Sequence, residues 1–115
     1  MAGLHEISIM ESVINIVLEK AEENHLREIS EITIKVGELS GVMPEALEFA
    51  FSIMAKGTIA EGSKFLIERV PAAAKCGNCG IEFKISHFNK LCPKCQKFST
   101  LILRGYELYV NKIVG

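Results

Sequence analysis

At 115 residues, 49% hydrophobic and 23% charged, the chain has a globular balance, with room for one ordinary domain or a small domain carrying a satellite. A formal net charge of -1 argues against a nucleic-acid partner, because phosphate binding needs clustered Lys and Arg uncompensated by acids. No stretch approaches the roughly 20 apolar residues of a membrane span, and no basic segment leads into an apolar core at the front, so the cytoplasm is the expected compartment.

The chain opens MAGLHEISI, placing His5 and Glu6 side by side ahead of an apolar run. Ser8 to Glu11 has the S-x-x-E form of a capping box, which predicts a helix starting there. Met10, Val13, Ile14, Val17 and Ala21 recur at helical spacing, while Glu19, Lys20, Glu22 and Glu23 fall largely on the other side. His25 ends this helix, where its charge would complement the dipole. In EITIKVGEL, Ile32, Ile34 and Val36 alternate with Thr33, Lys35 and Gly37, as a strand with one apolar face requires. A second helix follows, with Pro44 in its first turn, Leu47, Ala50, Phe51 and Met54 at helical spacing, and Gly57 as its stop. A strand from about Lys64 to Val70 ends at Pro71.

GTIAEGSK, from Gly57 to Lys64, superficially resembles a phosphate-binding loop. However, Ser63 precedes Lys64 and the segment joins a helix to a strand, the wrong context for that mechanism. No Ser/His/Asp constellation or nucleophile elbow is present, so catalysis is not expected.

After Pro71 the aliphatic periodicity gives way to cysteine, glycine and lysine. CGNC supplies Cys76 and Cys79, CPKC supplies Cys92 and Cys95, and twelve residues separate the pairs. Two such loops place four sulfurs around one ion, with Gly77, Gly80 and Pro93 suited to the turns. Lys75, Lys84, Lys90, Lys94 and Lys97 surround them and would favour thiolates. With four protein ligands and no open position, zinc would be structural, contributing on the order of 10 kcal/mol to the fold of this segment. Spacing does not separate zinc from iron in a rubredoxin-like site. Disulfides are disfavoured by compartment, and a redox pair would open a helix. LILRGYELYVNKIVG returns to strand, with Leu108 and Val110 on one face and Tyr109 and Asn111 on the other. The expected architecture is therefore α/β: a small mixed sheet with two helices (residues 1–71 and 102–115), and a zinc-ribbon-like four-cysteine module (72–101) inserted before the last strand.

Imidazole suits nickel, and a histidine on a flexible backbone can add deprotonated amide nitrogens in a plane. On residues alone, His5-Glu6 reads first as solvated surface. His87 reads either as module surface or as a further ligand. The near-terminal HE with Ser and an amphipathic helix, then VGELSGVMPEALEFAF, GTIAEG, CGNC and CPKC, together resemble the HypA/HybF family of [NiFe]-hydrogenase nickel-incorporation proteins over nearly the whole chain.

That resemblance implies a nickel metallochaperone. Nickel would be cargo on His5 and Glu6, and structural zinc would sit on Cys76, Cys79, Cys92 and Cys95. The implied partners are a HypB-like GTPase and the hydrogenase large subunit, with a homodimer left open. One departure stands out. The family begins Met-His-Glu with its amine near the site, whereas here Met1-Ala2-Gly3 precede and Leu4 occupies the methionine's place. The alternative reading is a zinc-ribbon module that recruits a protein or nucleic acid without carrying nickel.

Overall fold

The computed structural model describes residues 4–115, so the Met1-Ala2-Gly3 prefix lies outside the described residues. The order of elements is α1 (Leu4–Glu23), β1 (Glu31–Gly37), α2 (Pro44–Met54), β2 (Lys64–Val70), β3 (Ala73–Lys75), β4 (Glu82–Lys84), β5 (Leu101–Arg104) and β6 (Leu108–Val114). They form two three-stranded sheets, ordered β2-β1-β6 and β4-β3-β5. The chain divides into two compact units. The first comprises the described residues through Lys35 with Val42–Glu68 and Tyr109–Gly115; the second comprises Val36–Gly41 and Arg69–Leu108.

In the first unit the helical stripe read from the sequence is the buried one: Met10, Val13, Ile14, Val17 and Ala21 are all at most 6% exposed. They share the interior with Ile32 and Ile34 of β1 and Leu47, Ala50 and Phe51 of α2. Phe51 stacks on Phe65 of β2, with ring centroids 4.5 Å apart. The Lys64 N–H donates to the Ser30 carbonyl where β1 and β2 both begin, so these strands run parallel and α2 is the crossover between them. The Ser30 N–H in turn donates to the Val114 carbonyl at the far end of β6, which therefore runs antiparallel to β1. As the central strand β1 is covered more fully than simple alternation suggests, and Thr33 is buried with its apolar neighbours.

Two helix ends differ from the sequence expectation. Helix α1 begins at Leu4, not at Ser8, so His5 and Glu6 lie in its first turn and the S-x-x-E run is interior to the helix. At the other end His25 has φ 55°, its N–H donates to the Glu22 carbonyl, and the Leu26 N–H donates to the Ala21 carbonyl. This is a Schellman termination with histidine in the left-handed position, so backbone geometry accounts for His25 at that place.

The second unit is a short antiparallel sheet around the cysteines. Ala73–Lys75 of β3 pairs on one side with Glu82–Lys84 of β4 and on the other with β5, with a register shift between Ala73 and Ala74. The buried cluster contains Leu39, Ala72, Ala74, Phe83 and Ile85 together with Cys76 and Cys92. The final β-rich run is two strands rather than one. Gly105, at φ +130°, breaks it, so β5 belongs to the small sheet and β6 to the larger one.

Candidate metal centre

The four cysteine sulfurs all lie within 4.8 Å of one another. Cys76 Sγ and Cys95 Sγ are 3.6 Å apart. Four thiolates at about 2.3 Å from a tetrahedral zinc ion stand roughly 3.8 Å from each other, so the donor set fits such an ion in both number and spacing. All four cysteines are free thiols.

Each CxxC loop is built the same way. In the first, the Gly80 N–H donates to the Cys76 carbonyl, the Cys79 N–H points at Cys76 Sγ from 3.2 Å, and Gly80 has φ +76°. In the second, the Gln96 N–H donates to the Cys92 carbonyl, and Gln96 occupies the left-handed region at φ 65°. Gln96 thus takes the place in the second loop that Gly80 takes in the first, although its side chain makes that conformation costlier. The first cysteine of each pair is buried and the second is half-buried. Ser99, buried just ahead of β5, donates its hydroxyl to the Lys75 carbonyl at 2.6 Å and accepts from the Leu101 N–H, fixing the entry to the first loop. Neither role is legible in the sequence: Ser99 acts on Lys75, 24 residues away, and Gln96 is not a residue type that favours the left-handed region.

The thiols do not share one acidity. The Cys79 N–H directed at Cys76 lowers the Cys76 value. The Lys97 backbone N–H brings Cys95 down to about 6. Cys79 is pushed up to about 12, chiefly by its hydrogen bond with Cys95. The lysine expectation is corrected here: backbone amides acidify these thiols, and Lys97 acts through its main-chain N–H. Without a cation the cluster retains protons, whereas a divalent ion would displace them.

His5 and Glu6 present a second, smaller feature. The His5 side chain is 65% exposed, and its Nδ1 stands 4.0 Å from Glu6 Oε2. Glu6 itself is only 5% exposed, and its Oε2 accepts the Met43 N–H at 3.4 Å. Met43 is the N-cap residue of α2 and has no side-chain cap of its own. Glu6 therefore closes the start of α2 from α1, a role the sequence did not indicate. His87 lies exposed in the loop between the CxxC pairs and is not among the four residues of the cysteine group. GTIAEGSK joins α2 to β2. Among the described residues, no helix is long and apolar enough to cross a membrane.

The small α/β fold carries a four-thiolate centre with no open coordination position, a site suited to holding a metal ion structurally rather than to catalysis on the metal. The family model described as "Hydrogenase/urease nickel incorporation, metallochaperone, hypA" matches residues 4–115, and the chain belongs to this family. It is 39% identical over 110 residues to the hydrogenase maturation factor HypA of Geobacter sulfurreducens, covering 96% of this chain and 97% of the relative. It is also 41% identical to the protein of that name from Chlorobaculum parvum, at the same coverage. The fold matches the solution structure of the Ni metallochaperone HypA from Helicobacter pylori, with a TM-score of 0.66 at 22% identity over 95% of each chain. A second HypA solution structure matches with a TM-score of 0.69, over 97% of this chain and 96% of that one. The family is one of metallochaperones for nickel incorporation, not of catalytic enzymes.

Proposed function

We propose that this chain carries nickel(II) as cargo for maturation of a [NiFe]-hydrogenase, binding it at the His5-Glu6 segment and holding structural zinc on Cys76, Cys79, Cys92 and Cys95. The observation that carries this reading is the family match over residues 4–115, a span that includes both features. The sulfur spacing supports zinc, and four protein ligands leave it no open position for exchange.

For nickel, the exposed His5 imidazole supplies a borderline nitrogen donor suited to this ion. An α-helix provides no internal carbonyl partner for its first N–H groups, so amide nitrogens in the opening turn, those of His5 and Glu6, are the natural co-ligands. Their deprotonation on binding makes capture stronger as pH rises. The Glu6 carboxylate contributes only by sharing itself with Met43. Delivery to the hydrogenase large subunit and cooperation with a HypB-like GTPase complete the role, in the cytoplasm, where four free thiols persist. Nickel-loaded protein given to a metal-free large subunit should restore hydrogenase activity. His5→Ala should deliver markedly less, and equal delivery by both would refute the assignment.

A further inference from the structure

The unit that holds the cysteines carries seven Lys and Arg against three Glu, a net +4, whereas the unit that holds His5 carries six against eleven, a net -5. Four thiolates around one divalent ion would contribute about -2 to the first, which stays positive. From Phe83 to Tyr106 the chain contains no Asp or Glu, and Lys84, Lys94 and Lys97 are exposed along it.

Apolar side chains stand out among these lysines. The Cys92 N–H donates to the Lys97 carbonyl and the Ser99 N–H to the Lys90 carbonyl, so Leu91 and Phe98 are directly opposed and project to one side. Their neighbours Cys92 and Ser99 are buried on the other side, which leaves Leu91 47% and Phe98 65% exposed. The chain enters this pair through the 86–90 turn, where Phe88 is 99% exposed. Ser86 Oγ accepts the N–H groups of Phe88 and Asn89 at 3.2 and 3.1 Å, and Lys90 Nζ donates to the His87 carbonyl. The ring is held out by an ordered turn, so docking it costs little further ordering.

A projecting ring fits a concave partner, and the lysines around it fit an anionic one. A protein that takes up a divalent cation meets both conditions: its metal pocket is a recess, and the donor groups there are uncompensated until the ion arrives. The same mouth repels the acidic unit that bears His5. An extended polyanion fits less well, because at long range it meets the net charge of -1 of the whole chain.

We infer that the Phe88 turn and the Leu91–Phe98 pair are the surface by which this chain docks on its empty nickel acceptor, an inference that rests on the nickel-carrier reading above. The cationic unit anchors the encounter that the acidic cargo unit opposes. Filling the pocket with nickel removes negative charge facing the lysines, so the contact loosens once the cargo is delivered.

Binding of the zinc-loaded full chain to immobilised metal-free hydrogenase large subunit tests this, with Phe88→Ser, Phe98→Ser, Lys94→Glu and, as a control on the other unit, the exposed Phe49→Ser. Zinc content and calorimetric nickel uptake of every variant should equal wild type. The two zinc-unit phenylalanine variants should each lose about tenfold or more in affinity for the subunit. Lys94→Glu should bind more weakly, chiefly through a slower on-rate at low salt, and Phe49→Ser should bind as wild type does. The nickel-loaded subunit should bind less tightly than the empty one. Wild-type affinity in both Phe88→Ser and Phe98→Ser overturns the proposal, as does a loss confined to Phe49→Ser or equal affinity for loaded and empty subunit. So does a surface that takes single-stranded oligonucleotide or anionic phosphatidylglycerol vesicles but not the subunit. A subunit that still gains nickel from the Phe88→Ser chain at the wild-type rate refutes the docking alone, whereas one that gains none from wild type removes the carrier reading itself.

Discussion

Glu6, in the first turn of α1, accepts the backbone N–H of Met43, the residue that caps α2. One carboxylate thus lies beside the proposed nickel-binding histidine and also closes a helix 37 residues further along the chain. Structure and the proposed cargo binding meet at this residue, and substitutions there need to be read for both.

Glu6→Ala should destabilise the fold by about 1 kcal/mol, the usual cost of losing a helix cap, because it removes the carboxylate that accepts the Met43 N–H at the start of α2. Glu6→Gln keeps an acceptor oxygen and should lose less. Chemical denaturation of both variants checks the order. Equal losses would mean that the negative charge beside the helix N-terminus matters more than the hydrogen bond.

The unequal thiols predict an order of alkylation in the metal-free chain. Cys95, brought down to about 6 by the Lys97 N–H, is a thiolate at neutral pH, whereas Cys79, pushed up to about 12, keeps its proton. Provided the chelated chain keeps its fold, which its far-ultraviolet spectrum checks, limiting iodoacetamide should therefore label Cys95 first and Cys79 late, as read by peptide mass. The linkage follows. Cys95 sits below its ordinary 9.0, so its contribution to metal-free stability is fully present above 9.0 and is lost as pH falls through about 6. Cys79 runs the opposite way, contributing below 9.0 and losing that contribution as pH rises through about 12. Equal labelling of the two would contradict this.

A methyl group at Gly37 would sit 2.1 Å from the Gly105 carbonyl oxygen, a main-chain atom, while the Gly37 N–H donates to the Glu107 carbonyl. Nothing flexible can yield there. Gly37→Ala should cost about 3 kcal/mol or prevent folding, in the range for overpacking a fixed site. A melting temperature near wild type would show that the β5–β6 corner can move away from β1.

The paired CxxC loops make opposite predictions at equivalent positions. Gly80→Ala introduces a Cβ at φ +76° and should cost about 1 kcal/mol, whereas Gln96→Gly relieves φ 65° and should be neutral or stabilising by a similar amount. Zinc retention against a competing chelator measures both. Faster zinc loss from the Gln96→Gly protein would mean that the side chain itself supports the site.

The elements legible in the sequence are those written by periodicity. The Met10 to Ala21 stripe, the Pro44 helix and the strand ending before Pro71 all appear where their patterns place them, and the cysteine spacing brings four sulfurs together. What escaped depends on partners distant in sequence. Ser8 to Glu11 looks like a helix start by local chemistry, yet α1 begins at Leu4 and the Glu6 side chain is tied to Met43. Gly37 reads as one more alternating strand residue until Gly105 is seen against it. Gln96 has no sequence mark of its left-handed backbone, because it is the turn of the second CxxC loop, with the Gln96 N–H on the Cys92 carbonyl, that places it there.

Nickel titrated by calorimetry into the zinc-loaded protein, with His5→Ala and Cys76→Ser beside it, tests the central claim most directly. The account predicts about one exchangeable nickel per chain, weakened tenfold or more in His5→Ala, with the zinc content of that variant unchanged. Nickel binding that survives His5→Ala intact but disappears with Cys76→Ser would contradict it and move the cargo to the thiolates.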